Sequence, residues 1–99
     1  MSLPIRLRPE VVSDLLQAAD WYDQQQRGLG REFIEAAYTA FDLLADRPQS
    51  FPVVRKNVRR ALMRRFPYAI YFRIESNVIV ILVVVHTARS SRAWKRRAR

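Results

Sequence analysis

The fold is decided by the stretch "RRFPYAIYFRIESNVIVILVVV", which runs from Arg64 to Val85. Residues 68–75 alternate between two faces, whereas residues 78–85 are apolar throughout, and both patterns are typical of strands. Ser76–Asn77 separates the two, and asparagine tolerates the positive φ that a tight hairpin requires. We therefore predict an antiparallel hairpin whose second strand lies centrally in a sheet and is covered on both faces.

Two further strands are predicted outside this hairpin. "VRRALMRR" at Val58–Arg65 precedes it, joined through Phe66–Pro67, and its mixed faces place it close to a sheet edge, where charge discourages aggregation. "LPIRLR" at Leu3–Arg8 alternates apolar and polar residues. Pro4 restricts this first strand to an edge or to its own first residues.

The segment between the first strand and the loop "PQSFP" predicts two helices. The first runs from Pro9 to about Gln26, and the second from about Arg31 to Asp46. Between them, Gly28 can adopt the left-handed conformation that ends a helix, and so short a connection requires an antiparallel helical hairpin. In the first helix the predicted buried stripe is Val11, Leu15, Ala18, Ala19 and Tyr22, with Val12 and Leu16 beside it and Asp14 on the wetter side. In the second helix it is Phe33, Ala37, Phe41 and Leu44.

These elements predict one α+β domain over residues 1–99, of order β-α-α-β-β-β, with an antiparallel sheet packed against a two-helix hairpin. The basic tail from about residue 90 is predicted to be extended, with one helical turn around Arg92–Arg97 as an option, and to fray at its end. Trp94 is the only large apolar residue of that tail.

The composition excludes several classes of protein. There is no cysteine, which excludes disulfides and thiolate metal sites and fits a cytoplasmic location. The N-terminal residues lack an apolar core of signal-peptide length, and the longest apolar run is far shorter than the roughly 20 residues of a membrane span. One histidine, two glycines and scattered acids offer no metal site and no phosphate-binding loop, so no cofactor is predicted.

The net charge of +9 is concentrated in the second half of the chain. Residues 1–50 contain five Lys or Arg and eight Asp or Glu, a net charge of −3, whereas residues 51–99 contain thirteen basic residues and one acid, Glu75, a net charge of +12. A basic half on a small domain predicts an acidic partner, either a protein or a nucleic acid. A membrane surface fits less well, because the basic residues lie among strands rather than on an amphipathic helix.

Four landmarks carry a resemblance to a known superfamily. They are "AADWYDQQQRGLGREF" across the helix connection, "LADRP" at the end of the second helix, "VRRALMRRFPYAIYFRI", and the ending "VVVHTARSSRAW", which contains the spacing H-x-x-R-x-x-R-x-W. In this order they resemble the ParE/RelE superfamily of toxins, closest to its ParE-like, plasmid-stabilisation branch. The likeness extends from Ile5 to Arg97.

The resemblance implies the toxin of a type II toxin–antitoxin pair. Such a toxin is held inactive by a cognate antitoxin that wraps its sheet and helices, and operator DNA is bound only through the antitoxin. ParE-like members poison DNA gyrase and are not ordinary enzymes, whereas RelE-like members cut mRNA on the ribosome. A third alternative, from the charge alone, is a basic nucleic-acid-binding module, but no recognition helix or base-reading aromatic pair is evident.

A ribonuclease needs an acid, a base and cations on the developing phosphorane charge. The candidates are His86, Arg65, Arg73 and Arg89, with Tyr71 as an addition, and by sequence this set is incomplete. We therefore interpret His86 as a residue that closes a strand and donates one hydrogen bond, and we favour the gyrase-poisoning alternative.

The remaining candidates are binding residues. Four arginines in seven residues cannot all be paired locally, and arginine favours forked contacts with carboxylates, so this face is predicted to meet an acidic antitoxin. An exposed Trp21 would add an aromatic anchor, although it could equally cover the outer edge of the helical hairpin. The predicted antitoxin-binding residues are thus Trp21, Arg59, Arg60, Arg64 and Arg65, and the predicted target-binding residues are Arg89, Arg92, Trp94 and Arg96.

Overall fold

A computed structural model describes residues 2–98, apart from the side chain of Ser91. It contains one five-stranded sheet and three α-helices. Short 3₁₀ turns at Pro48–Ser50 and Thr87–Arg89 connect some of these elements. In chain order the elements are β1 (Ile5–Leu7), α1 (Pro9–Gln25), α2 (Leu29–Asp46), β2 (Val53–Arg55), β3 (Val58–Leu62), β4 (Tyr68–Glu75), β5 (Val78–His86) and α3 (Ser90–Arg97).

The sheet has the strand order β1-β5-β4-β3-β2, in which β1 runs parallel to β5 and all other neighbours are antiparallel. The predicted β4–β5 hairpin is confirmed, and its turn residues Ser76 and Asn77 both have positive φ, at 50° and 62°. The prediction that Pro4 confines the first strand to an edge is also confirmed, because β1 is an outer strand.

Each face of the sheet has its own apolar layer. The α1–α2 hairpin covers the face of Ile70, Phe72, Ile79 and Ile81, and α3 covers the other face. The apolar run of β5 therefore contributes to both layers, as its sequence predicts. The second layer contains the buried residues Val58, Ala69, Tyr71, Val80, Leu82, Val83 and Trp94.

The prediction for the edge beyond β3 was wrong in two respects. β3 ends at Leu62 rather than Arg65, and the outer strand is β2, which lies between the predicted loop "PQSFP" and Val58, where no element was predicted. β2 has only three residues and an irregular register with β3, so it carries no periodic pattern that a sequence could reveal.

The tail was also predicted wrongly as mainly extended, since residues 90–97 form a helix. The apolar surface that stabilises this helix comes from the sheet: the Trp94 ring stacks on Tyr71 at 5.5 Å between centroids and 15° between planes. A single tryptophan gives little periodic signal, so the helix depends on tertiary contact rather than on a stripe of its own.

The helical hairpin follows the prediction with small shifts in its bounds. Gly28 has φ 89° directly before α2, and Gly30 packs so closely on the backbone of Ala19 that a side chain would not fit. The predicted core positions of both helices are buried except Ala19 and Tyr22, which are half-buried, and the flanking Val12 and Leu16 are exposed. Within residues 2–98, no helix has both the length and the apolar character needed to cross a membrane.

Candidate functional site

An open groove of about 1180 Å³ lies between α1, the end of β5 and the segment that leads into α3. One wall is α1, and the other is the 3₁₀ turn with α3. The side chains that give it chemical character are Trp21, Tyr68, His86, Arg89, Arg92 and Arg96.

A strand edge without a strand partner borders this groove. β1 ends at Leu7, opposite Ile81, so within residues 2–98 the later residues of β5 have no strand beside them on that side. The ladder with β4 shifts register at Tyr71–Phe72, which leaves Leu82 opposite no residue of β4. The backbone groups of this edge are therefore satisfied by side chains or left open to solvent.

Asp14 and Arg97 satisfy two of those backbone groups and bind each other. The Val84 amide donates to the Asp14 carboxylate at 3.1 Å, and the Arg97 guanidinium donates to the Leu82 carbonyl at 3.2 Å. Arg97 also donates to both carboxylate oxygens of Asp14, at 2.6 and 2.8 Å. These hydrogen bonds to Asp14 raise the pKa of Arg97, and burial opposes them to a smaller extent. Asp14 was predicted on the wetter side of α1, and this was wrong because its partners come from β5 and α3.

The α1 wall of the groove presents an exposed aromatic ring. Trp21 is 54% exposed, as expected for an anchor rather than for a residue that covers the edge of the helical hairpin. Its ring and that of Tyr22 form a T-shaped pair with 5.0 Å between centroids. Tyr22 in turn stacks on the buried Phe33. The indole is thus held by an aromatic cluster while its other side faces solvent, which is typical of an interface anchor.

His86 ends β5 at the end of the groove. Its Nδ1 accepts a hydrogen bond from the Ala88 amide at 3.1 Å. The donated hydrogen bond that the sequence interpretation assigns to His86 stays a prediction. An accepting Nδ1 carries no proton, and in neutral imidazole the proton then lies on Nε2. The ring also lies edge-on to Tyr68 at 5.4 Å.

Burial raises the pKa of two tyrosines near this wall. For Tyr22 the cause is burial, followed by the neighbouring Tyr68. For Tyr68 the cause is again burial, and the positive charge of Arg89 opposes it to a smaller extent. Both phenols therefore stay protonated at neutral pH and can act as hydrogen-bond donors.

The opposite wall is cationic. Arg89, Arg92 and Arg96 are exposed and follow one another at spacings of three and four residues, which places them along one side of the 3₁₀–α3 segment. Over residues 2–98, none of the three forms an ion pair. This side is therefore available to an acidic partner.

The four arginines predicted to bind an antitoxin fall into two groups. Arg59 donates to the carbonyls of Phe51 at 2.7 Å and Gln49 at 3.3 Å, which fastens the segment before β2. Arg65 pairs with Glu32 at 2.5 Å and lies over the Phe66 ring. The sequence analysis expected that these four arginines could not all find partners within the chain. That expectation applies only to Arg60 and Arg64, which in the described residues have no ion pair or side-chain hydrogen bond.

The predicted nuclease residues do not converge on one place. Arg73 is paired with Glu75 and donates to the Ala98 carbonyl at 3.1 Å, and Tyr71 is buried beneath Trp94. In the β4–β5 ladder, His86 lies directly opposite Tyr68. Arg73 is five positions further along β4 than Tyr68, so the backbones of Arg73 and His86 are roughly 16 Å apart. Of the set, only His86 and Arg89 line the groove.

Trp94 is only 7% exposed, because its ring lies on the sheet. A target contact by Trp94 itself stays a prediction and would require α3 to move. Its observed role is to hold α3 in place, and α3 in turn carries Arg92 and Arg96.

Sequence reasoning missed the Asp14–Arg97 pair. A signal existed: Asp14 lies between Val11 and Leu15 at helical spacing, so it interrupts the apolar stripe rather than flanking it. A carboxylate at a core-facing position predicts a buried cation, but not which of the thirteen basic residues of the second half supplies it.

Comparison with known proteins agrees with this architecture. The family described as "ParE toxin of type II toxin-antitoxin system, parDE" matches residues 5–91. The chromosomal ParDE toxin–antitoxin system of P. aeruginosa contains a similar chain, with a TM-score of 0.77 and 17% identity, covering 86% of this chain and 96% of that one. A search of curated proteins found no significant match.

Two further solved structures share the fold. The RelBE2 toxin–antitoxin complex of Mycobacterium tuberculosis has a chain with a TM-score of 0.60 and 22% identity, covering 87% of this chain and 99% of that one. A double arginine-to-alanine mutant of the E. coli toxin RelE in the free state has a TM-score of 0.61 and 11% identity, covering 99% of this chain and 96% of that one. The architecture is thus that of the ParE/RelE fold. Because the family match spans most of the chain, this protein belongs to the ParE toxin family of type II toxin–antitoxin systems.

Proposed function

We propose that this chain is the toxin of a type II pair, that a cognate acidic antitoxin neutralises it, and that its target is DNA gyrase, which it poisons by binding rather than by catalysis. Membership of the ParE family supports the toxin role. The cationic side of the groove, formed by Arg89, Arg92 and Arg96, supplies the surface for a protein contact.

The observation that carries the non-catalytic alternative is the separation of the basic side chains. Phosphoryl chemistry needs cations that converge on one phosphate. Of the predicted nuclease cations, Arg65 and Arg73 are each engaged by a carboxylate away from His86, so only Arg89 lines the groove with it. Arg92 and Arg96 also line the groove, but they follow Arg89 along its opposite wall. A surface that binds a protein needs no such convergence.

The groove also suggests how an antitoxin would neutralise this toxin. An extended acidic segment could hydrogen-bond to the part of the β5 edge beyond the Val84 amide, which the Asp14–Arg97 pair does not cover. It could also place an apolar side chain against Trp21 and pair its carboxylates with Arg89 and Arg92. It would then cover the same arginines that we assign to the target. Neutralisation would follow from direct competition, with Arg60 on β3 and Arg64 just after it as a second contact.

One observation favours a second candidate, a RelE-like ribonuclease acting on mRNA at the ribosome. Tyr68, His86 and Arg89 share the groove, so a proton donor, an imidazole and a cation lie close together. In that case His86 would be a catalytic residue, and its removal would cost about 10²–10⁴ in rate.

Growth inhibition separates these candidates. We expect His86→Ala to remain toxic, and Arg89→Glu combined with Arg92→Glu to lose toxicity because the binding surface changes sign. Arg27→Glu combined with Arg31→Glu, near the α1–α2 connection, is the control of equal charge. Loss of toxicity in His86→Ala alone, with unchanged circular dichroism, would favour the ribonuclease.

The antitoxin contact has its own test. Reversing Arg60 and Arg64 to Glu should weaken association with the antitoxin and flatten its salt dependence, because fewer charge pairs remain to be screened. Arg59 and Arg65 are unsuitable for this purpose, since their loss would also disturb the fold. Unchanged affinity and salt dependence would place the antitoxin elsewhere.

A further inference from the structure

A second cationic pocket, of about 410 Å³, lies between the turn that joins β2 to β3 and the C-terminal half of α3. The turn contributes Arg55 and Lys56, and the helix contributes Lys95 and Arg96. Within residues 2–98, no carboxylate lines this pocket and none of its four cations forms an ion pair.

The helical side of this pocket is fixed in place. Trp94 stacks on Tyr71, Arg73 donates to the Ala98 carbonyl, and Arg97 is bound to Asp14. Because these contacts come from residues on both sides of Lys95 and Arg96, the two cations project from an anchored helix. Little backbone order would therefore have to be gained when they bind a ligand.

The turn side carries backbone strain. Lys56 has φ 52°, a left-handed conformation that costs a residue with a Cβ atom about 1–2 kcal/mol. Asparagine or glycine would adopt it more easily, and Asn57 is the next residue along the chain. A lysine held in this conformation beside three other cations points to a use for its charge.

The ordinary explanation, compensation of the helix dipole, does not account for all four cations. Basic residues in the last turn of a helix offset its dipole, which explains Lys95 and Arg96. That effect does not apply to Arg55 and Lys56, which lie on a strand turn. Gathering like charges around one pocket costs electrostatic free energy, and a bound polyanion would offset this cost.

We propose that this pocket binds the phosphate backbone of duplex DNA without sequence preference, so that the toxin contacts DNA directly as well as through an antitoxin. An acidic peptide is the poorer fit, because its backbone would need a strand edge to pair with, and the edge strand beside this pocket, β2, has only three residues and an irregular register. The pocket provides instead separate cations that suit successive phosphates. With Trp94 covered by the sheet, no aromatic face is available for stacking on bases, so the contacts are to the backbone alone.

Arg96 connects this pocket with the groove, since it lines both. The basic surface is therefore continuous from Arg89 to Lys56. A toxin bound through the groove to an enzyme that holds DNA could place this pocket on the DNA beside it. This step rests on the proposed function, whereas DNA binding by the pocket does not.

Binding of labelled 20-base-pair duplexes of two unrelated sequences to the full-length toxin, followed by fluorescence anisotropy over a range of salt, tests the proposal. We expect equal affinity for both sequences. Lys56→Ala combined with Lys95→Ala should weaken binding and reduce the slope of log affinity against log salt by about 2. Arg27→Ala combined with Arg31→Ala removes equal charge from the helical hairpin and should change neither.

Equal losses in both double variants would overturn the proposal, since the net charge alone would then explain binding. Competition by polyglutamate as effective as that by unlabelled duplex of equal charge would overturn it as well, because the pocket would then not distinguish phosphates from carboxylates. Gyrase is absent from this measurement. If the toxin does not bind DNA in this measurement, the proposal that gyrase is the target is unaffected. A toxin that binds DNA but does not affect gyrase would count only against gyrase as the target.

Discussion

Asp14 and Arg97, 83 positions apart in the sequence, form a two-pronged ion pair across the edge of β5. Through their bonds to Val84 and Leu82 they connect α1 and α3 to the same strand. Arg8 adds a bond to the Arg97 carbonyl at 2.8 Å. The position of α3, and with it the cationic side of the groove, thus depends on a carboxylate near the start of the chain.

Replacing Asp14 with Asn should destabilise the protein by roughly 2 kcal/mol, because the partly buried guanidinium of Arg97 loses its charged partner. For a domain of this size the melting temperature should fall by about 10 °C. Asp42→Asn, at an exposed position of α2, should stay within about 0.5 kcal/mol of the wild type. Thermal unfolding checks both variants, and equal shifts would show that the pair contributes nothing specific.

The two tryptophans should report separately on the groove and on α3. Trp21 is exposed and Trp94 is buried, so Trp94→Phe should leave red-shifted emission that acrylamide quenches readily, and Trp21→Phe should leave blue-shifted, protected emission. Adding Asp14→Asn to Trp21→Phe should increase quenching if α3 loosens. Protected emission from Trp21 in the isolated toxin would contradict its exposure.

Stability should fall at alkaline pH because of Tyr22 and Tyr68. Burial raises the pKa of both above the value of 10.0 that they have when unfolded, so the folded state disfavours the phenolate. The free energy of unfolding is unaffected by these groups well below pH 10, and it decreases as the pH rises above 10 toward the raised values. Urea unfolding at pH 8 and pH 11 measures this decrease, which Tyr68→Phe should reduce; an equal decrease in that variant would exclude Tyr68 as a source.

The sequence predicts the long elements of this fold because each carries its own periodic signal. The stripes of α1 and α2 and the alternation of β4 decide their structure locally, and Asn77 marks the turn between β4 and β5. β2 and α3 carry no such signal, since each is stabilised by a neighbour: β2 by its pairing with β3, and α3 by Tyr71 and Asp14.

The candidate site was predictable only in part, for a similar reason. The basic character of the tail follows from local sequence, whereas for Trp21 the sequence leaves two alternatives open, of which the structure shows the exposed one. The pairing of individual cations does not, because Arg59, Arg65 and Arg73 find their partners through the folding of the chain. For the same reason, charge reversal at Arg89 and Arg92 tests the target surface more cleanly than truncation after Ser91, which would also remove Trp94 and Arg97.

The most direct test of the central claim is a cleavage assay with purified gyrase, supercoiled plasmid DNA and ATP, in which protein-linked double-strand breaks appear as linear DNA after denaturation and proteolysis. We expect linear DNA with the wild-type toxin and with His86→Ala, and far less with the double variant Arg89→Glu, Arg92→Glu. We also expect the antitoxin to suppress it. Absence of linear DNA with the wild type, together with His86-dependent cutting of mRNA on ribosomes, would contradict the account and establish the ribonuclease.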